Sequence, residues 1–256
     1  MRIVSLSPAH TEILYALGLG NRLVGITHSC DYPREAKFKR RVGNWNTHQV
    51  DALRLLKPDL ILSAHAFPPY LVGYEGPGEI VHFEPRTLGD ILSSIRAIGR
   101  LCGKKREAEK LAAAMEKKLF LIGKRTPHGN KRLRVYTEEW GYPPTAAGLW
   151  LPQLVSIAGG EAILMHPGEQ GREVLLSELE RADPDVIIIH WHGAGKQNRV
   201  SDIAKRPGWK HLRAVRQKRV HTVHDSLLNR PGPRIVEGTK SLHNILRKSR
   251  ALRSTK

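Results

Sequence analysis

Two segments of this chain repeat one pattern. Asp51-Ala-Leu-Arg-Leu-Leu-Lys-Pro-Asp-Leu-Ile-Leu and Glu178-Leu-Glu-Arg-Ala-Asp-Pro-Asp-Val-Ile-Ile-Ile each read as a short helix, a Pro-Asp corner and a buried strand. A strand entered from a helix through a tight corner is the repeating unit of α/β proteins. Its recurrence about half a chain later implies two α/β lobes of similar build. Two such lobes leave a cleft, and a cleft is where a small ligand binds.

The rest of the chain fits that plan. Strands are expected at Arg2–Leu6, Leu23–Thr27, Leu60–Ala64 and Glu79–Glu84, with helices at Ile13–Leu17 and Asp51–Lys57, giving a first lobe over 1–86. Thr87-Leu-Gly-Asp90 then resembles a helix start. Apolar residues follow at helical spacing: Ile91, Ile95, Ile98, Leu101, Leu111, Met115, Leu119 and Ile122. Gly103 interrupts and the period resumes, so 87–125 is expected to be one rigid linking helix, on the order of 50 Å if continuous. The second lobe, 132–246, carries expected strands Arg132–Thr137, Val186–Trp191 and Arg219–Val223, helix Leu151–Ala158 and a closing helix Arg234–Leu246. Residues 247–256 read as a basic tail. The expected fold class is α/β: two Rossmann-like lobes with central parallel sheets, joined by one long helix.

The 256 residues carry a formal net charge of +18, unevenly spread. Lys and Arg exceed Asp and Glu by 2 over residues 1–88, by 7 over 89–131 and by 9 over 132–256. The ordinary reading is a solvated basic surface, with nonspecific attraction to nucleic acid or anionic lipid as the other. No specific nucleic-acid-binding motif is present. Cys30 and Cys102 fit no zinc or redox spacing and are expected to be buried thiols. No apolar run is long enough to cross a bilayer, and the opening Met1-Arg-Ile-Val-Ser reads directly as a strand, so the chain as written is expected in the cytoplasm, a trimmed leader and an extracytoplasmic place being the alternative; a monomer is expected.

Ligands of open α/β sheets sit beyond the carboxyl ends of the strands. In the first lobe that rule selects Ser7, Pro8, His28, Asp31, Tyr32, His65 and Phe83, with Trp45 in a flanking loop. In the second it selects Glu139, Trp140, His190, Trp191, His192, Asp225 and Arg230, with Trp150 nearby. The set is rich in aromatic rings, which suit a bulky ring ligand, although any single Trp is as well explained by packing. His190 and His192 alternate on an expected strand and so share a face. They are either hydrogen-bonded strand-end residues, contacts to a ligand or its metal, or, with His28 and His65, a direct zinc or manganese site. Glu138 and Glu139 point to opposite sides. There is no nucleophile elbow, phosphate loop or dinucleotide fingerprint, so an enzyme using Glu12, Asp31 or Glu138 is the weaker alternative to a binding protein.

Several stretches together resemble a family. They are Arg2-Ile-Val-Ser-Leu-Ser-Pro-Ala-His-Thr-Glu-Ile-Leu, Leu23-Val-Gly-Ile-Thr-His-Ser-Cys-Asp-Tyr-Pro, Leu56-Lys-Pro-Asp-Leu-Ile, Glu139-Trp140, Ala147-Gly-Leu-Trp-Leu-Pro-Gln-Leu-Val, Ala158-Gly-Gly, and Asp225 with Arg230-Pro-Gly-Pro-Arg. In order and spacing they resemble the vitamin B12 and iron-siderophore substrate-binding proteins of ABC importers, most of all a leaderless cobalamin-binding branch. The resemblance implies two lobes joined by a helical backbone, a non-enzymatic role, and capture of a corrinoid, or else a ferric siderophore or heme, for a membrane permease. A cytoplasmic corrinoid-salvage protein is a further possibility it implies. No catalytic cofactor is implied. The family's permease-docking acids correspond to Asp51 and to Ser177, beside which stands Glu178. The segment Ala64-His-Ala-Phe-Pro-Pro-Tyr departs from the leaderless branch, which tends to carry cysteines there.

Overall fold

The computed structural model describes residues 1–44, 50–64, 67–126, 132–197 and 199–254. Trp45 and His65 therefore lie outside the described residues. By packing, the chain divides into two compact units. Unit 1 comprises 1–85, 89–114 and 231–233, and unit 2 comprises 86–88, 115–230 and 234–256.

Unit 1 is built on a parallel sheet of β1 (Ile3–Ser5), β2 (Leu23–Ile26), β3 (Leu60–Ala64) and β4 (Glu79–Phe83), in the order β2-β1-β3-β4. Helix α1 (Pro8–Ala16) follows β1, and α2 (Val50–Leu56) leads into β3. Pro8 explains why α1 begins five residues before the expected Ile13, because proline at a first helical position gives up no needed N–H. Val4, Leu6, Val42, Leu53, Leu56 and Ile61 form a core under α2.

The expected single rod over 87–125 is two helices, α3 (Leu88–Leu101) and α4 (Lys105–Lys124). In a continuous helix Arg96 and Glu109 would stand about 20 Å apart. Instead the Arg96 guanidinium donates to both Glu109 carboxylate oxygens at 3.0 and 3.1 Å. The chain turns sharply at Gly103, whose φ of +69° is a left-handed helix stop that glycine adopts without penalty. Gly99 allows the close approach, since a Cβ there would lie 2.2 Å from that of Ala108. The segment thus joins the units through two long helices. The division between units falls inside α4, between Ala114 and Met115.

Unit 2 holds a mixed sheet of β5 (Leu133–Gly141), β6 (Pro144–Ala146), β7 (Gly160–Ala162), β8 (Arg172–Glu173), β9 (Val186–Ile189) and β10 (Val220–Thr222). The order is β10-β9-β5-β6-β8, and β7 also pairs with β5. The pairs β9–β10, β5–β9 and β5–β7 are parallel, as the doubled unit implies. Past its first half, β5 exchanges β7 for an antiparallel partner, β6, which pairs in turn with β8. Helices α5 (Leu151–Ile157), α6 (Leu176–Ala182), α7 (Val200–Ala204), α8 (Arg213–Arg216) and α9 (Ile235–Ser254) complete the unit. All of β9 is buried, and each such Ile contributes roughly 2–3 kcal/mol by leaving water. The expected basic tail is instead the end of α9. Leu246 and Ser249 are buried there, and the Arg250 guanidinium donates to the Gly159 carbonyl.

Candidate functional site

In unit 1 the turn after β1 is held by neutral groups. Ser5 Oγ donates to the Ser7 carbonyl at 2.8 Å, and Thr11 Oγ1 lies 2.9 Å from Ser5 Oγ and 3.2 Å from Cys30 Sγ. Ser7 Oγ is buried with no hydrogen-bond partner among the described residues. Pro8 is half-buried at the head of α1. The loop after β2 is pinned by Arg41, which donates to the carbonyls of Thr27 and Cys30 at 2.7 and 2.8 Å. That leaves His28, Asp31 and Tyr32 exposed. Phe83, at the end of β4, meets the His10 ring edge-on with centroids 5.2 Å apart.

Unit 2 brings its strand ends together with charge. Glu138 is wholly buried near the end of β5. Arg206 grips both its oxygens at 2.8 and 2.9 Å, Trp191 Nε1 donates to it at 2.8 Å, and Tyr136 OH donates at 3.0 Å. The guanidinium also lies over the rings of Trp191 and Trp209, 5.5 and 4.5 Å from their centroids. Desolvation nevertheless raises the Glu138 carboxyl above its ordinary value, against the lowering effect of Arg206. Glu138 is therefore a structural anchor, and Trp191 is committed to holding it.

His190 is fully buried just beyond β9. Asn229 Nδ2 donates to the His190 carbonyl at 2.9 Å, which turns Asn229 Oδ1 toward the ring, 2.5 Å from Nδ1. The proton therefore sits on Nδ1, and Nε2 carries a lone pair with no partner among the described residues. Burial pushes the imidazole down to about 4, so it is neutral. His192 does not share its surroundings. The strand ends at Ile189, and His192 is exposed, with Nε2 3.8 Å from Glu139 Oε2. Past Ile189 the backbone leaves regular pairing, His190 N–H donating to the Glu138 carbonyl and His192 N–H to the neighbouring Glu139 carbonyl, so the two imidazoles end in different surroundings rather than side by side on one strand face.

Around this anchor lie the groups that meet solvent. Trp140 is about half exposed, its indole N–H donating to the Tyr142 carbonyl at 2.9 Å. Asp225 accepts from the Gly193 N–H at 2.9 Å and so ties the loop after β10 to the loop after β9. Arg230 follows Asn229 and is half-buried. Trp150, by contrast, is 2% exposed and donates to the Leu228 carbonyl at 2.8 Å, so it is core. Arg206 escaped the sequence reading, because its partner Glu138 is 68 residues away and no local pattern links them. Of the expected docking acids, Asp51 is exposed, whereas Glu178 is gripped by Arg172 at 2.8 Å and accepts from the Leu175 N–H. Among the described residues no group of three or more His, Cys, Asp or Glu side chains is placed to hold a metal ion.

A model of the periplasmic binding protein family matches residues 3–227. An uncharacterised ABC transporter substrate-binding lipoprotein, YvrC of Bacillus subtilis, is 29% identical over 94% of this chain and 78% of its own length. The periplasmic vitamin B12-binding protein BtuF of Vibrio cholerae is 25% identical, with TM-score 0.78 over 97% of each chain. The periplasmic heme-binding protein BhuT, solved with two hemes, is 25% identical, with TM-score 0.83 over 98% of each. These findings overturn the cytoplasmic expectation, since the family and these structures are periplasmic. Among the described residues no helix is long and apolar enough to cross a membrane. With two α/β units joined by long helices and the family pattern covering most of its length, the chain belongs to the periplasmic binding protein family, a family of substrate-binding proteins and not of enzymes.

Proposed function

We propose that this chain is the substrate-binding component of an ABC importer and that its cargo is a cobalamin-like corrinoid. The observation that carries the reading is the end of β5 in unit 2, where Trp140 is half exposed and held by its N–H, and where the next residue back, Glu139, meets the exposed His192. An indole fixed at its polar edge offers a flat face to a planar macrocycle at low entropic cost. The carboxylate and imidazole suit the amide fringe of a corrin ring. On unit 1 the corresponding candidates are the exposed His28, Asp31 and Tyr32. Relatives 29% identical or less are named vitamin B12-binding proteins, which supports the choice. Asp51, being exposed, is the stronger candidate for a permease contact.

Titration with cyanocobalamin, followed by tryptophan fluorescence and corrin absorbance, tests the reading. Saturable one-to-one binding is expected, weakened about tenfold or more by Trp140→Ala. Absence of quenching up to about 100 μM rejects cobalamin.

Heme is the second reading, favoured by the imidazole of His192 at this edge. A porphyrin iron with an open axial position takes an imidazole, whereas cobalamin can bring its own. Under that reading hemin gives a shifted Soret band that His192→Ala removes, and cobalamin does not bind.

A further inference from the structure

We infer that the C-terminal half of α4 docks on an anionic lipid surface. Lys117, Phe120, Leu121 and Lys124 recur at the spacing of one helical face, with Lys118 and Arg125 alongside. That face is open to water: Phe120 is 61% exposed, Leu121 is 44% exposed, and the four basic residues are exposed. Between Met115 and Thr126 the only acid is Glu116. Lys124 Nζ stands 4.9 Å from the Phe120 ring centroid, so cation and ring are already held together. Beside them runs a mostly apolar groove of about 470 Å³, lined by Leu88, Leu119, Phe120, Gly123 and Ile157 with Glu116 and Lys124 at its charged positions.

The cationic face continues past the helix. Thr126 Oγ1 donates to the Ile157 carbonyl at 3.5 Å, which brings the end of α4 against α5. There Arg250 donates to the Gly159 carbonyl, and Arg132 donates to Ser156 Oγ at 3.0 Å and to the Gly160 carbonyl at 3.4 Å. Arg247 and Lys248, one turn from Arg250 or less, are exposed. Glu161, next to Gly160, is the nearby acid.

The exposed apolar side chains select a bilayer over nucleic acid. A polyanion in water gives no reason to expose Leu121 and Phe120. Amphipathic helices that lie on membranes combine such side chains with flanking Lys and Arg, the apolar residues entering the headgroup boundary while the cations meet phosphate. The groove beneath Phe120 would take acyl-chain methylenes as the ring turns outward.

Co-sedimentation with phosphatidylcholine vesicles, with and without phosphatidylglycerol, tests this on the whole ligand-free protein, so the result is independent of which chelate the site holds. The wild type should sediment with the anionic vesicles, not the neutral ones, and be released by salt. Charge reversal of Lys117, Lys118, Lys124 and Arg125 to Glu should weaken the association by about a hundredfold or more, at roughly fivefold for each basic residue lost. Phe120→Ala with Leu121→Ala should reduce vesicle binding severalfold and leave any binding to duplex DNA unchanged. An unchanged thermal melt establishes that each variant folds. Failure of the wild type to sediment, equal sedimentation by the charge-reversed protein, or indifference to loss of Phe120 and Leu121 each overturns the inference.

Discussion

The turn after β1 in unit 1 and the strand ends of unit 2 occupy the same position in their sheets but are held differently. Ser5, Ser7, Thr11 and Cys30 tie the first with neutral hydrogen bonds. Glu138, Arg206, His190 and Asn229 tie the second with a buried ion pair and a buried imidazole. Neutral bonds are worth about 1 kcal/mol each and tolerate loss. A buried charge tolerates its partner's loss poorly, because the remaining charge has nowhere to go. Unit 1 thus presents its exposed loop residues from a turn tied by neutral groups, and unit 2 presents Trp140 and His192 from a base sensitive to single substitutions and to acid.

The largest effect expected from this contrast is at Arg206. Arg206→Met leaves Glu138 buried and unpaired and should cost about 3–5 kcal/mol in denaturant unfolding at neutral pH. The Glu138 carboxyl, already raised by desolvation, rises further without the guanidinium. A carboxyl whose folded value exceeds its unfolded one favours the fold as pH falls through the folded value. The deficit should therefore shrink on acidification, and Glu138→Gln with Arg206→Met should recover most of it. A deficit independent of pH would show that lost packing on Trp191 and Trp209 dominates.

Next is His190. Its folded value of about 4 lies below the ordinary 6.5, so the unfolded chain takes up a proton that the folded chain refuses. Stability should fall as pH drops from 6.5 to about 4, by up to about 3 kcal/mol from this group. His190→Gln should lose that pH-dependent component in the same unfolding series. The smallest effect is in unit 1: Thr11→Val, which keeps shape but removes the hydroxyl, should cost about 1–2 kcal/mol and show no pH dependence between those limits.

The plan of the fold was written locally, and so it could be read. The Leu60–Ala64 strand and the start of β9 follow from apolar runs behind Pro-Asp corners. Where the reading failed, a distant partner decided the outcome. Gly103 looked like a blemish in a helical period until Arg96 met Glu109 across the corner. The run from Arg247 looked like a tail because its charges outnumber the buried Leu246 and Ser249 that keep it helical. Trp140, Trp150 and Trp191 are indistinguishable as letters, yet one is exposed, one is core and one is bound to Glu138. Ring count raises the expectation of a bulky ligand; which rings face water depends on contacts 53 to 78 residues apart.

Strand β5 outruns β9 by three residues, and β6 keeps that overhang in the sheet. Glu139, Trp140 and Gly141 therefore stand on a promontory with its own edge support. The β5–β6 hairpin could lengthen, shorten or swap its aromatic residue without disturbing the ladder behind it. Sequence change can therefore collect at this edge while the interior stays as it is.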